Sequence, residues 1–92
     1  MILKIRHRGL RAYYENGQTK GLNVDWLPRI DLILSVLDVA TEPDDIAIPA
    51  LRLHQLKGQQ KGIWSLRVTG NRRIIFRFED GDVTDVDLVD YH

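Results

Sequence analysis

The sequence predicts an α+β domain in which two early helices pack on one face of a small, mainly antiparallel twisted sheet, in the order β-α-α-β-β-β-β. Two observations carry this. Apolar residues recur at helical spacing from Trp26 to Ala40, and beyond Leu51 they switch to every second position, with short turn signals between the runs. Ninety-two residues suffice for a single domain, 1–92, and leave little surface for a second unit.

The elements follow in order. Met1 to His7 sets Ile2, Leu3 and Ile5 against Lys4 and Arg6, which suits a short first strand. Arg8 to Asn16 forms a short helix closed at Gly17, burying Leu10 with Tyr13 and Tyr14. Asp25 is the expected N-cap of the second helix, because Pro28 then falls in the first turn, where its missing N–H costs no hydrogen bond. Trp26, Ile30, Ile33, Leu37 and Ala40 make a stripe that covers a sheet, and Pro43 ends the run. "LRLHQL", "GIWSLRVT", "RIIFRFE" and "VTDVDLV" then read as four strands, with an Asp-Gly turn in "EDGD".

Composition excludes several classes of function. With 43% hydrophobic residues and 28% charged, the chain has the balance of a globular domain. No cysteine is present, so a disulfide framework and a thiolate metal site are both ruled out, and a reducing compartment fits. The N-terminal apolar run is broken by Lys4, Arg6 and Arg8, far short of a signal peptide or a membrane span, so a cytoplasmic protein without membrane attachment is expected. There is no Gly-rich phosphate loop and no H-E-x-x-H, and the three histidines lack metal-ligand spacing. Neither a metal nor another cofactor is expected.

The net charge of zero is a sum of unlike blocks. Residues 1–24 carry five Lys or Arg and one acid, and residues 25–50 carry one Arg and six acids. Residues 51–78 carry seven Lys or Arg and no acid, whereas residues 79–92 carry six acids alone. Which face the basic side chains occupy therefore matters more than their total.

The register of the "VTGNRR" hairpin sets that face, since a one-residue slip exchanges the two sides of a strand. A two-residue Gly70-Asn71 turn would oppose Arg67 to Ile74 and Val68 to Arg73, mixing charge with apolar side chains. A three-residue loop, with Gly70 or Asn71 left-handed, instead gathers Trp64, Leu66, Val68, Ile74, Phe76 and Phe78 on the core side. Arg67, Arg73 and Arg77 then share the other side, where directly opposed like charges are destabilising. Two readings stand side by side: pairing with Asp85 and Asp87 as a solvated, charge-laced sheet, or a polyanion lying across the arginines.

His54 and Lys57 precede this hairpin, and Asp90, Tyr91 and His92 end the last strand, so two segments deliver titratable groups to one sheet. Such a set suits cleavage of RNA by its own 2′-hydroxyl. That reaction needs a base at the attacking oxygen, cations on the phosphate and an acid at the leaving 5′-oxygen. Histidine as a residue type takes either proton role near neutrality, and arginine clamps phosphate in a bidentate fork. A non-catalytic RNA- or ribosome-binding module, using the arginines for phosphate contacts alone, is the alternative; a module docking an acidic partner is a third.

The stretch "LHQLKGQQKGIWSLRVTGNRRIIFRFEDGD", followed by the terminal "VDYH", resembles the HigB branch of the RelE-like toxins of bacterial toxin-antitoxin systems. The L-H-x-L-K-G, G-x-W-S-[IL]-x-V, N-x-R-I-x-F and D-Y-H segments all stand at that family's separations. The resemblance implies a RelE-like fold and a metal-free, ribosome-dependent endoribonuclease that cuts mRNA in the A site and halts translation. It implies His54, Lys57, Arg73, Asp90, Tyr91 and His92 as the active-site set. Arg67 and Arg77 come only from strand alternation, as substrate-binding candidates. His54 or Asp90 is the expected base, His92 the acid, Lys57 and Arg73 the phosphate stabilisers, and Tyr91 an orienting or stacking group. The partners implied are a helix-turn-helix antitoxin of the HigA type, the ribosome with its A-site mRNA, and operator DNA only through the antitoxin, with the free toxin a monomer. Family members are commonly basic, whereas this chain is neutral, and Arg72 stands where a relative carries an aromatic.

Overall fold

The N-terminal residues do not form a continuous strand. In the computed structural model, which describes residues 1–60 and 62–90, they run parallel to the last strand through two isolated bridges, Ile2 to Val83 and Ile5 to Val86. Ile2 and Ile5 are buried and Leu3 is exposed, because the three-residue step between the bridges turns only those two inward.

Helix α1 (Arg8–Asn16) has the expected bounds, and both ends are held locally. The His7 side chain caps its start, Nδ1 accepting the Leu10 N–H at 3.0 Å. Gly17 closes it at φ 73°, a left-handed conformation in which a residue without Cβ carries no steric cost. Leu10 is fully buried, Tyr13 is half-buried and Tyr14 is exposed. The two phenols instead tie α1 to the second helix, Tyr13 donating to Asp31 and Tyr14 to Asp38. The bond to Asp38, aided by partial burial, pushes the Tyr14 phenol up to about 12, and the bond to Asp31 raises Tyr13.

Helix α2 spans Leu27–Val39 with Pro28 in its first turn. Asp25 does not cap it. A 3-10 turn, Val24–Trp26, intervenes, and the Asn23 side chain accepts the Asp25 N–H. The helix ends four residues before Pro43, which opens a separate 3-10 turn at Pro43–Ile46. The inward stripe is Ile30, Ile33, Leu37 and Ala40 as expected, joined by Leu34, while Trp26 is half-buried.

The sheet order is β1-β2-β3-β4, antiparallel throughout, with β1 His54–Gln55, β2 Trp64–Arg67, β3 Arg72–Glu79 and β4 Asp82–Asp90. "LRLHQL" supplies only the two residues of β1, because Pro49–Leu51 forms a 3-10 turn and Arg52 follows with φ 51°. The β2–β3 register sets Leu66 against Ile74 and Arg67 against Arg73, which leaves the three-residue loop Thr69 to Asn71. Neither Gly70 nor Asn71 is left-handed. The Thr69 hydroxyl instead accepts the Asn71 and Arg72 N–H groups and closes the turn. Asp80 and Gly81 both take positive φ, as a tight Asp-Gly hairpin requires.

Between Ile75 and Arg77 the β3–β4 register shifts, and Asp85 stands at φ 54°. The bulge breaks the alternation expected for β4: Val83, not Thr84, lies opposite Phe78, and Thr84 faces Arg77. Core side chains from α1, α2 and the sheet meet around Phe76, whose ring packs edge-on against Phe78 at 5.7 Å between centroids. Among the described residues, no helix is long and apolar enough to cross a membrane.

Candidate active site

Directly paired residues on antiparallel strands point to the same side of the sheet, so the register sorts the predicted site residues. One row on the face away from the helices runs His54, Ser65, Ile75, Asp87. The next runs Arg67, Arg73, Val89. His54 and Arg73 therefore sit on one face in adjacent rows, and both line a cleft of about 410 Å3 with Pro49, Arg52 and Leu53. The sheet supplies two of these residues, and the stretch leading into β1, residues 49–53, supplies the other three.

Ser65 lies at the centre of this arrangement and is fully buried. It is the cross-strand partner of His54, and its hydroxyl accepts a long hydrogen bond, 3.4 Å, from Arg73 Nη1. Reasoning from charge overlooked it, although it is the serine of the "WS" strand and stands opposite His54 once the register is known. Arg52 was also missed, since nothing in "LRLHQL" marks its left-handed backbone.

The remaining candidates separate. Lys57 is exposed and borders a different depression, with Gln55, Leu56 and Gly58. Arg67 borders a neighbouring cleft of about 480 Å3. Arg77 is engaged by Asp85, with Nη2 to Oδ2 at 2.7 Å and Nε donating to the same oxygen at 2.9 Å. That hydrogen bond holds the Asp85 carboxyl below the usual carboxylate range against the opposing effect of burial, with the charges of Arg77, Arg6 and Lys4 assisting. Asp87 takes no such part; its carboxylate accepts the Leu88 N–H.

Asp90 is the cross-strand partner of Arg72 and is ion-paired with it at 3.2 Å. Arg72 also lies over the Trp26 ring, 5.3 Å from its centroid. By alternation this pair belongs to the helix side at the end of the sheet, one residue beyond the Arg73–Val89 row. Trp26 of the turn before α2 thus braces the arginine that holds Asp90. Tyr91 and His92 lie outside the described residues.

Comparison with known proteins gives the same picture across the chain. A family profile described as RelE-like toxin of type II toxin-antitoxin system HigB matches residues 3–92. The chain is 38% identical to Endoribonuclease HigB of Proteus vulgaris over 92 residues, covering all of both chains. It is 31% identical to Toxin HigB-1 of Vibrio cholerae over 83 residues, or 88% of this chain and 87% of that one. Among solved structures, a chain of the YoeB-YefM complex from Staphylococcus aureus aligns with a TM-score of 0.64 at 16% identity, covering 100% of this chain and 95% of that chain. YafQ from E. coli aligns at 0.62 and 14% identity, covering 98% and 91%, and at such identities these two likenesses speak to fold alone. Sequence match, strand order and the packing of two helices on an antiparallel sheet agree, and the chain belongs to the HigB-like family of RelE-like toxins of type II toxin-antitoxin systems.

Proposed function

We propose that the chain is an endoribonuclease that cuts mRNA in the ribosomal A site without a metal ion, and is neutralised by a helix-turn-helix antitoxin. The observation that carries the reading is the cleft in which His54 and Arg73 face each other across buried Ser65. An imidazole and a guanidinium lining one cleft provide a proton acceptor and a phosphate clamp. The relative named Endoribonuclease HigB, matched over its whole length, supports the reaction class.

In this mechanism His54 removes the 2′-hydroxyl proton, and the resulting oxygen attacks the adjacent phosphorus. The O2′–P bond forms as the P–O5′ bond breaks, and His92 returns a proton to the leaving 5′-oxygen. The product is a 2′,3′-cyclic phosphate. Arg73 and Lys57 stabilise charge on the non-bridging oxygens. Asp90, already engaged by Arg72, orients the chain end rather than acting as base. Tyr91 orders the substrate, by hydrogen bond or by stacking on a base. Arg67 binds the RNA backbone, and Arg77 is left to its structural pair with Asp85.

The test mixes the purified chain with mRNA-programmed ribosomes that have a vacant A site and maps the RNA ends. The expected result is a cut in the A-site codon bearing a 2′,3′-cyclic phosphate, insensitive to chelator, absent without ribosomes, and lost in His54→Ala and His92→Ala. Ribosome binding without any cut, unchanged in His54→Ala, would show a binding module instead.

A further inference from the structure

Beside the His54 cleft lies the larger one, about 480 Å3, lined by Arg29, Pro49, Ala50, Arg52, Arg67, Val68 and Thr69. Three guanidinium-bearing residues from three elements border it: Arg29 from α2, Arg52 from the turn before β1 and Arg67 from β2. No acidic residue lines the cleft, and among the described residues none of the three arginines has a carboxylate within ion-pair distance. That contrasts with Arg72 and Arg77, each held by an aspartate. Like charges gathered without counter-charges oppose folding unless a solute anion offsets them.

One head group and one backbone are fixed here. Arg29 Nη1 donates to the Ala50 carbonyl at 2.7 Å, which fixes the head group at the cleft wall and leaves its other N–H groups to be satisfied from the cleft or solvent. Arg52 adopts φ 51° and ψ 56°, a backbone conformation that side-chain-bearing residues rarely take, and its N–H donates to Pro49 O at 3.2 Å. A strained backbone at an exposed arginine points toward a use for that side chain. Arg52 and Pro49 line both clefts, so the two form one groove with Arg73 and His54 at one end and Arg67 and Arg29 at the other.

We infer that Arg29, Arg52 and Arg67 form a second phosphate site, which binds the RNA backbone at the nucleotide adjoining the scissile phosphate. The inference rests on the nuclease reading for the identity of that neighbour, and it adds two arginines the sequence did not single out. Planar guanidiniums with fork geometry suit the non-bridging oxygens of a phosphodiester, and the unbroken groove lets one strand reach both sites.

The probe is a trinucleotide RNA with 2′-O-methyl groups, which cannot be cleaved, titrated into the full chain while the arginine Nε–H signals are followed by NMR. Shifts at Arg52 and Arg67 are expected. Arg52→Met and Arg67→Met should each weaken binding about fivefold at low salt and make its salt dependence shallower. Arg52→Lys should recover the salt dependence, which a purely structural role of Arg52 would not produce. Shifts confined to Arg73, unchanged affinity in both Met variants, or no binding at millimolar probe would overturn the inference. So would a glutamate-rich peptide that binds these arginines when the RNA does not. Cleavage on programmed ribosomes separates the two readings: cutting without arginine shifts sinks this inference alone, and arginine shifts without cutting sink the nuclease reading alone.

Discussion

Asp85 combines two demands that rarely fall on one side chain. Its backbone takes φ 54° at the β4 bulge, and its carboxylate meets Arg77 at 2.7 Å and Arg6 at 3.9 Å. Asparagine tolerates the left-handed conformation as well as aspartate, so Asp85→Asn removes the charge while sparing the backbone. The pair is partly solvated, which limits the expected loss to about 1 kcal/mol at neutral pH. The carboxyl is depressed in the folded state, so this stability is present above its unfolded value near about 3.9 and disappears as pH falls through the lower folded value. Thermal melts of both proteins should therefore differ at neutral pH, begin to draw together below about pH 3.9 and meet only below the lower folded value; a constant gap would show that the charge is not its source.

At the scale of elements, short helices and hairpins here are set by side-chain hydrogen bonds as much as by propensity. Helix α1 has nine residues, too short to be stable alone, and its start depends on the His7 ring accepting the Leu10 N–H. His7→Ala should cost about 1 kcal/mol in denaturant melts, and His7→Asn, which restores an acceptor at the cap, should recover most of it. Equal losses in both variants would assign the effect to packing of the ring, against which a Cβ at position 9 would be crowded. In the β2–β3 loop the Thr69 hydroxyl closes the turn that a left-handed Gly70 or Asn71 was expected to close.

Over the whole molecule, the core and the His54 cleft lie on different faces of the sheet. The described core runs from Ile2 to Leu88, with Phe76 its largest fully buried side chain. Phe76→Ala should therefore cost about 3–5 kcal/mol, a large share of the stability of so small a domain. Deleting Tyr91 and His92 removes nothing from that described core; the expected outcome is loss of growth arrest with a nearly unchanged thermal transition. Growth arrest retained after the deletion would sink the catalytic role of the chain end.

Period, turn chemistry and charge blocks determined the α+β class, the bounds of α1, the buried stripe of α2 and the three-residue β2–β3 loop, because each depends on neighbours within a few residues. From the register alone, Arg67 and Arg73 could be placed together on the face away from the core. What the linear pattern does not hold are contacts between distant segments. Ser65 joins the candidate site only when β1 pairs with β2; Arg52 and Arg29 meet Arg67 only when the turn before β1 folds beside the sheet. The bulge at Asp85 shifts β4 by one position, and Arg72, braced by Trp26, claims Asp90. Each of these depends on groups well separated in sequence. Periodicity reports which side a residue faces, and only tertiary packing decides what it meets there.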